Sequence, residues 1–163
     1  AYGVKNSQTA VVYDAHSKYP DLRWIDRSDP GFLSPRGARV SDATHTAIRW
    51  CLDAGARRVV CISALSPAMP QQRVDEAFGL LETNDIVIGP AQDGDWYLLG
   101  ARGVSPEVFE GYPWQGKNQT QELAAKAKEL GLSVHLMEEL VSVLDEKNYG
   151  LWKSGAAAGS LGA

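Results

Sequence analysis

Residues 86–101 read IVIGPAQDGDWYLLGA, and the way this stretch divides decides the fold. An apolar run, Ile86-Val87-Ile88, meets a Gly-Pro pair and then a polar tip, Gln92-Asp93-Gly94-Asp95. A second apolar run, Trp96-Tyr97-Leu98-Leu99, follows at once. Short β-branched or aromatic runs split by turn residues predict two strands with a loop between them. The loop carries two carboxylates on either side of a glycine, with an aromatic pair directly behind. Two readings stand side by side. In one, Asp-Gly supplies the backbone geometry of a tight turn and the aromatics are core. In the other, the carboxylates and rings face a ligand.

Outward from this stretch, helices alternate with short apolar strands. Upstream, Arg57-Arg58 leads into a strand over Val59–Ser63, a loop over Ala64–Pro70 and a helix over Gln71–Glu82, in which Val74, Ala77, Phe78 and Leu81 share a face. An earlier helix is capped by Ser41 or Asp42, carries Ala43, Ala47, Ile48 and Leu52 at helical spacing, and stops at Gly55. Thr9–Ala15 reads as a strand. His16–Pro35, rich in Asp, Ser, Pro and Gly, reads as irregular apart from a short strand at Leu22–Ile25. Downstream, Pro106–Phe109 reads as a helical turn and Gly111–Lys117 as a loop. Thr120–Leu130 is a helix ended by Gly131. Leu132–Met137 and Leu140–Leu144 read as strands, and Asp145–Lys153 as a last helical turn.

This order predicts an α/β fold, a three-layer sandwich with a mostly parallel central sheet. Val59–Ile62 and Ile86–Ile88 are unbroken apolar runs, as strands buried on both faces are. Ligands in such sheets sit at the carboxyl ends of the strands. The loops after Ile62, Ile88 and Phe109 are therefore the candidate site. A single domain is expected over residues 1–153, with a flexible Gly/Ala/Ser tail over 154–163.

With 163 residues, 44% of them hydrophobic, the chain can bury a core without metal or disulfide staples. A net charge of -4 argues against a nucleic-acid surface. Cys51 and Cys61 read as core fillers rather than reactive thiols. No apolar run approaches the ~18 residues of a membrane span, and no signal peptide is visible. A cytoplasmic protein with no membrane contact is expected.

The Ile86–Ala101 stretch resembles the "GPA-E-DGGYYL-G" signature of a bacterial glycosyltransferase-like family of the selenodomain-associated transferase type. Arg57–Pro70 resembles that family's strand ending in "G-D-P-L", and the helix over Asp75–Asn84 its "AF-L" element. Pro113-Trp114, Thr120 and Gly131–His135 follow its "PWS…T…GL-VH-L" pattern. The resemblance covers roughly residues 35–150. It implies the nucleotide-diphospho-sugar transferase fold, called GT-A, and transfer of a sugar or nucleotidyl group from a nucleotide donor. The ligand it implies is a nucleotide-sugar or other small polar molecule.

Asp93 is the first candidate on this resemblance, as a catalytic carboxylate orienting an acceptor hydroxyl or as a metal ligand. Asp95, Trp96, Tyr97, Trp114 and Ser63 are the candidate ligand-binding residues, and Asp145 is a second candidate for metal. The family implies a divalent metal, Mg²⁺ or Mn²⁺, bridging the donor phosphates. Against that metal, Ile62–Pro67 (ISALSP) has no acidic residue where the family carries its metal-binding carboxylate. A hard cation takes oxygen ligands, usually one or two carboxylates plus substrate phosphates. Asp95 and Trp96 also replace a glycine and a tyrosine of the signature. Nothing resembling the family's Gly-rich donor loop precedes Thr9. A sheet lacking its first strand leaves a pairing edge, so a homodimer is expected. The alternative reading is a non-catalytic relative that binds a small polar ligand or a protein partner.

Overall fold

A computed structural model describes residues 7, 10–12, 31–33, 40–67, 69–103, 108–109, 118–143 and 146–153. In chain order its elements are strands β1 (Ala10–Val12) and β2 (Gly31–Leu33), helix α1 (Val40–Asp53), strand β3 (Val59–Ile62) and helix α2 (Gln71–Leu80). Strands β4 (Ile86–Pro90) and β5 (Trp96–Ala101), helix α3 (Gln119–Glu129), strand β6 (Val134–Leu136) and helix α4 (Glu146–Lys153) follow. β3 to β6 form one sheet in the order β3-β5-β4-β6, and β1 pairs with β2 in another.

The α/β class holds, but the mostly parallel central sheet does not. β5 runs antiparallel to both β3 and β4, and only β4 and β6 pair in parallel within the larger sheet. The reason is local. A parallel return takes a crossover of a dozen or more residues, whereas a tight loop can only return the chain antiparallel. Unbroken apolar runs report burial on both faces, not strand direction. β3, β4 and β6 nevertheless point the same way, with β5 reversed between the first two.

Other boundaries move as well. Gly31–Leu33, placed in an irregular segment by its turn residues, is a strand paired in parallel with Ala10–Val12. Of the strand expected over Leu140–Leu144, the described residues 140–143 show a single bridge, between Leu140 and Ala91. Leu22–Ile25, Gly111–Lys117 and the 154–163 tail lie outside the described residues. Among the described residues, no helix is long and apolar enough to cross a membrane.

Side chains alternate across the sheet and divide the core in two. Ile86, Ile88, Leu99 and Ala101 pack with Ile48 of α1, with Leu123, Ala124 and Ala127 of α3, and with Val108 and Phe109. Val87 and Leu98 pack with Val74 and Ala77 of α2 and with Leu81 and Met137. Cys61 lies against the first cluster, where burial, with Cys51 nearby, pushes its thiol up to about 12.

Near the start of β5 the alternation breaks. Leu98 pairs with Gly89 and Trp96 with Pro90, with a register shift between Gly89 and Pro90. One residue of β5 is therefore extra, as in a β-bulge. Tyr97 consequently joins Leu98 in the α2 cluster, while Trp96 packs on the α1–α3 side. The Tyr97 ring is fully buried against Gly89: a Cβ at that position would sit 2.4 Å from the ring.

At the sheet edge holding the start of β4, Asp85 ties three elements together. Its Oδ2 accepts from Ser133 N–H at 3.0 Å and from Ser133 Oγ at 2.7 Å, and its Oδ1 accepts from Arg102 at 3.1 Å. These bonds, Ser133 foremost, hold its carboxyl below the ordinary aspartate range.

Two outcomes follow for stability. Gly89→Ala drives a methyl into the Tyr97 ring and is expected to cost about 3 kcal/mol, read as a lowered denaturant midpoint. Asp85 has a depressed native pKa, so its contribution is present above the ordinary aspartate value and is lost as pH falls through the native value. Asp85→Asn is therefore expected to cost about 1–2 kcal/mol at neutral pH and almost nothing in acid. Equal losses at both pH values would count against this assignment.

Candidate functional site

Because β3, β4 and β6 point the same way, their carboxyl ends share one rim of the sheet. Three segments meet there: Ser63–Pro67 after β3, Ala91–Asp95 after β4, and Met137–Val143 after β6. Backbone hydrogen bonds join them. Ser63 N–H donates to Tyr97 O at 2.9 Å, Leu140 N–H to Pro90 O at 3.0 Å, Gln92 N–H to Leu140 O at 3.0 Å, and Val143 N–H to Leu65 O at 2.9 Å.

The Asp93 turn is built by its sequence. Gly94 N–H donates to Ala91 O at 2.9 Å, and Ala91 N–H to Asp95 O at 2.8 Å. Gly94 has φ +87°, a left-handed backbone that glycine adopts without a Cβ clash. A three-residue hairpin loop closed by a left-handed glycine is a common solution to this reversal. Asp93 Oδ1 accepts from Asp95 N–H at 3.1 Å, and Asp95 Oδ1 from Trp96 N–H at 2.8 Å. Asp-Gly thus serves the turn, yet each carboxylate uses only Oδ1 for it. Neither Oδ2 has a partner among the described residues.

The sequence candidates separate by exposure. Asp93 is exposed, while Asp95 and Trp96 are half-buried. Burial raises the Asp95 carboxyl above its ordinary value against the opposing Trp96 N–H bond, and the Asp93 charge adds to the rise. Tyr97 is enclosed in the core, and its hydroxyl donates to Glu138 O at 3.0 Å, so its ring has no open face in this structure. Burial pushes its phenol up to about 12. Ser63 lies at the rim, and its Oγ accepts from Leu65 N–H at 3.2 Å. Trp114 and Asp145 lie outside the described residues.

Other residues at this rim were not readable as site residues. Arg73 of α2 bridges Glu76 at 2.9 Å and pairs with Glu138, tying α2 to the segment after β6. Ser66 is buried, and its Oγ has no hydrogen-bond partner. Thr120 of α3 donates through Oγ1 to Asp95 O at 2.8 Å and through N–H to Gly94 O at 3.2 Å. The sequence signals for Thr120 were its place at a helix start and its match to the family's "PWS…T…GL-VH-L" pattern, neither of which assigned it a role at the site. Its partners lie 25 residues away, beyond any local pattern.

The metal expectation can be set against this donor set. Among the described residues no group of three or more His, Cys, Asp or Glu side chains is placed to hold a metal ion. Asp93 and Asp95 already give one oxygen each to backbone N–H groups, and Ser63–Pro67 offers no carboxylate. These residues alone do not fit a hard divalent cation, which takes six or more oxygen ligands.

The pH behaviour of Asp95 should be opposite to that of Asp85. A raised native pKa means the folded chain holds the proton more tightly than the unfolded chain. Stability therefore falls as pH rises from the ordinary aspartate value, ~3.9, through the native one, and is level above it. Asp95→Asn keeps an acceptor for Trp96 N–H without the charge. It is expected to raise the denaturant midpoint at pH 7 relative to wild type, with the gain absent in strong acid.

Comparison with known proteins agrees with the α/β fold. A family model described as "Uncharacterized protein conserved in bacteria (DUF2064)" matches residues 3–116. Among solved structures, the chain is similar to a protein from Desulfovibrio desulfuricans G20 provisionally named a nucleotide-diphospho-sugar transferase. The TM-score is 0.76 at 24% identity, over 93% of this chain and 75% of that one. At that identity the likeness shows the fold. No curated protein matches the chain.

Proposed function

The chain belongs to the DUF2064 family, and from that membership and the shared fold we propose that it is a nucleotide-diphospho-sugar transferase-like protein. It takes a small polar ligand of the nucleotide-sugar class at the rim where β3, β4 and β6 end. The observation that carries this reading is the Asp93-Gly94-Asp95 turn. It stands at the carboxyl end of β4, where ligands of open α/β sheets bind, with two carboxylate oxygens not used by the loop. Exposed Asp93 would accept a hydrogen bond from an acceptor hydroxyl and take its proton as the hydroxyl oxygen bonds the sugar's anomeric carbon and the bond to the departing nucleoside diphosphate breaks. Half-buried Trp96 would offer the exposed part of its ring to a sugar.

A second reading, a non-catalytic relative that keeps the ligand pocket, is favoured by one feature. The Ser63–Pro67 loop has no carboxylate, and the described donors do not suit a cation that would stabilise a leaving diphosphate. In that reading the rim binds without group transfer.

Titration calorimetry with UDP-, GDP-, CDP- and ADP-sugars, each with and without Mn²⁺ or Mg²⁺, separates the two. Metal-dependent binding weakened about tenfold or more by Asp93→Asn is expected for the transferase reading. Metal-independent binding without turnover supports the non-catalytic one. No heat from any nucleotide sugar at millimolar concentration would overturn both.

A further inference from the structure

We propose that Thr120 is a positioning residue for the rim site, setting the orientation of Asp93 and Asp95 from the first turn of α3. The proposal rests on the reading of that rim as the ligand site.

The first N–H groups of an α-helix have no partner within the helix and are usually met by a capping side chain or water. Asn118, the N-cap of α3, makes no side-chain capping bond. The Thr120 N–H instead leaves the helix and donates to Gly94 O at 3.2 Å, while its hydroxyl donates to Asp95 O at 2.8 Å. One buried residue thus captures two consecutive carbonyls of the turn.

Those two carbonyls are the ones that matter. The Gly94 carbonyl belongs to the peptide unit that enters Asp95 and the Asp95 carbonyl to the unit that leaves it, so the two held units flank the Asp95 Cα. Asp95 O is also the acceptor for Ala91 N–H at 2.8 Å, so it receives two donors. With the carbonyls of both units held, the chain direction at Asp95 is set. The side-chain bonds from Asp95 N–H to Asp93 Oδ1 and from Trp96 N–H to Asp95 Oδ1 then fix which carboxylate oxygens turn inward. Oδ2 of each is left to the ligand. A helix cap alone needs an acceptor for the Thr120 N–H and does not account for the hydroxyl on Asp95 O. Thr120 is 5% exposed, and most buried hydroxyls find a protein partner.

The test follows the carboxyl group of Asp95 by NMR titration in wild type, Thr120→Val and Thr120→Ser. Valine keeps the shape and the N–H but removes the hydroxyl donor. The expected result is that Asp95 titrates above the ordinary aspartate range in wild type and the serine variant, and shifts back toward it in the valine variant as the turn loosens. The same proteins are titrated with UDP-glucose, where valine is expected to weaken binding about tenfold and serine to restore it. An Asp95 titration unchanged by valine in a folded protein overturns the proposal. Failure of wild type to bind UDP-glucose or any other nucleotide sugar counts against the ligand reading, and the Asp95 arm still decides the role of Thr120. Should the valine variant not fold, the wild-type Thr120 hydroxyl proton is observed directly. Slow exchange with solvent is expected, and fast exchange overturns the proposal.

Discussion

The left-handed backbone at Gly94 is the constraint on which the rest of the architecture depends. It lets the chain reverse within three residues, and that reversal sends β5 back along β4. β5 can then pair with β3 on its other side, so one tight turn places the central reversed strand of the sheet. The same turn brings Asp93 and Asp95 to the rim. Any residue with a Cβ would meet a steric penalty at this backbone conformation. Fold and candidate site therefore share a single local requirement.

From that turn, order spreads through backbone groups more than through side chains. The segment after β6 reaches Gln92 and Pro90 through Leu140 and reaches Leu65 through Val143. The Arg73–Glu138 pair and the Tyr97 hydroxyl hold the root of that segment against α2 and β5. The backbone bonds need no particular side chain. Particular side chains are required where the Thr120 hydroxyl meets Asp95 O, where Arg73 meets Glu138, and where the Tyr97 ring lies over Gly89. The opposite edge, tied by Asp85, Ser133 and Arg102, keeps the strands in register away from the ligand side.

Much of this was legible in the residues. The runs at Val59–Ile62, Ile86–Ile88 and Trp96–Leu99 marked three strands because apolar side chains must leave water on both faces. The 3.6-residue spacing read as helices over 71–82 and 120–130, against 71–80 and 119–129 in the structure, and the Asp93 loop followed from its turn chemistry. Strand direction did not follow, because hydrophobic content is blind to it. The strand at Gly31–Leu33 was hidden by the Pro30-Gly31 pair that opens it, whose turn signal outweighed a three-residue run. At the site, Asp93 and Asp95 stood out by residue type. Thr120, Glu138 and Arg73 did not, since their roles come from partners distant in the chain. Tyr97 shows the converse: adjacent to Trp96 in sequence and alike in chemistry, it is turned into the core by one extra residue in its strand.

That extra residue gives β5 a parity. From Leu98 onward its side chains keep time with β4. Before it, the count is offset by one. Deleting Tyr97 would restore an unbroken alternation, but the ring over Gly89 would be gone and Leu98 would follow Trp96 directly. Adding a residue there would invert which ring meets which helix. Evolution can therefore substitute within Trp96–Leu98 more readily than it can lengthen or shorten it. The spacing between the Asp93 turn and the core is fixed by counting, not by composition.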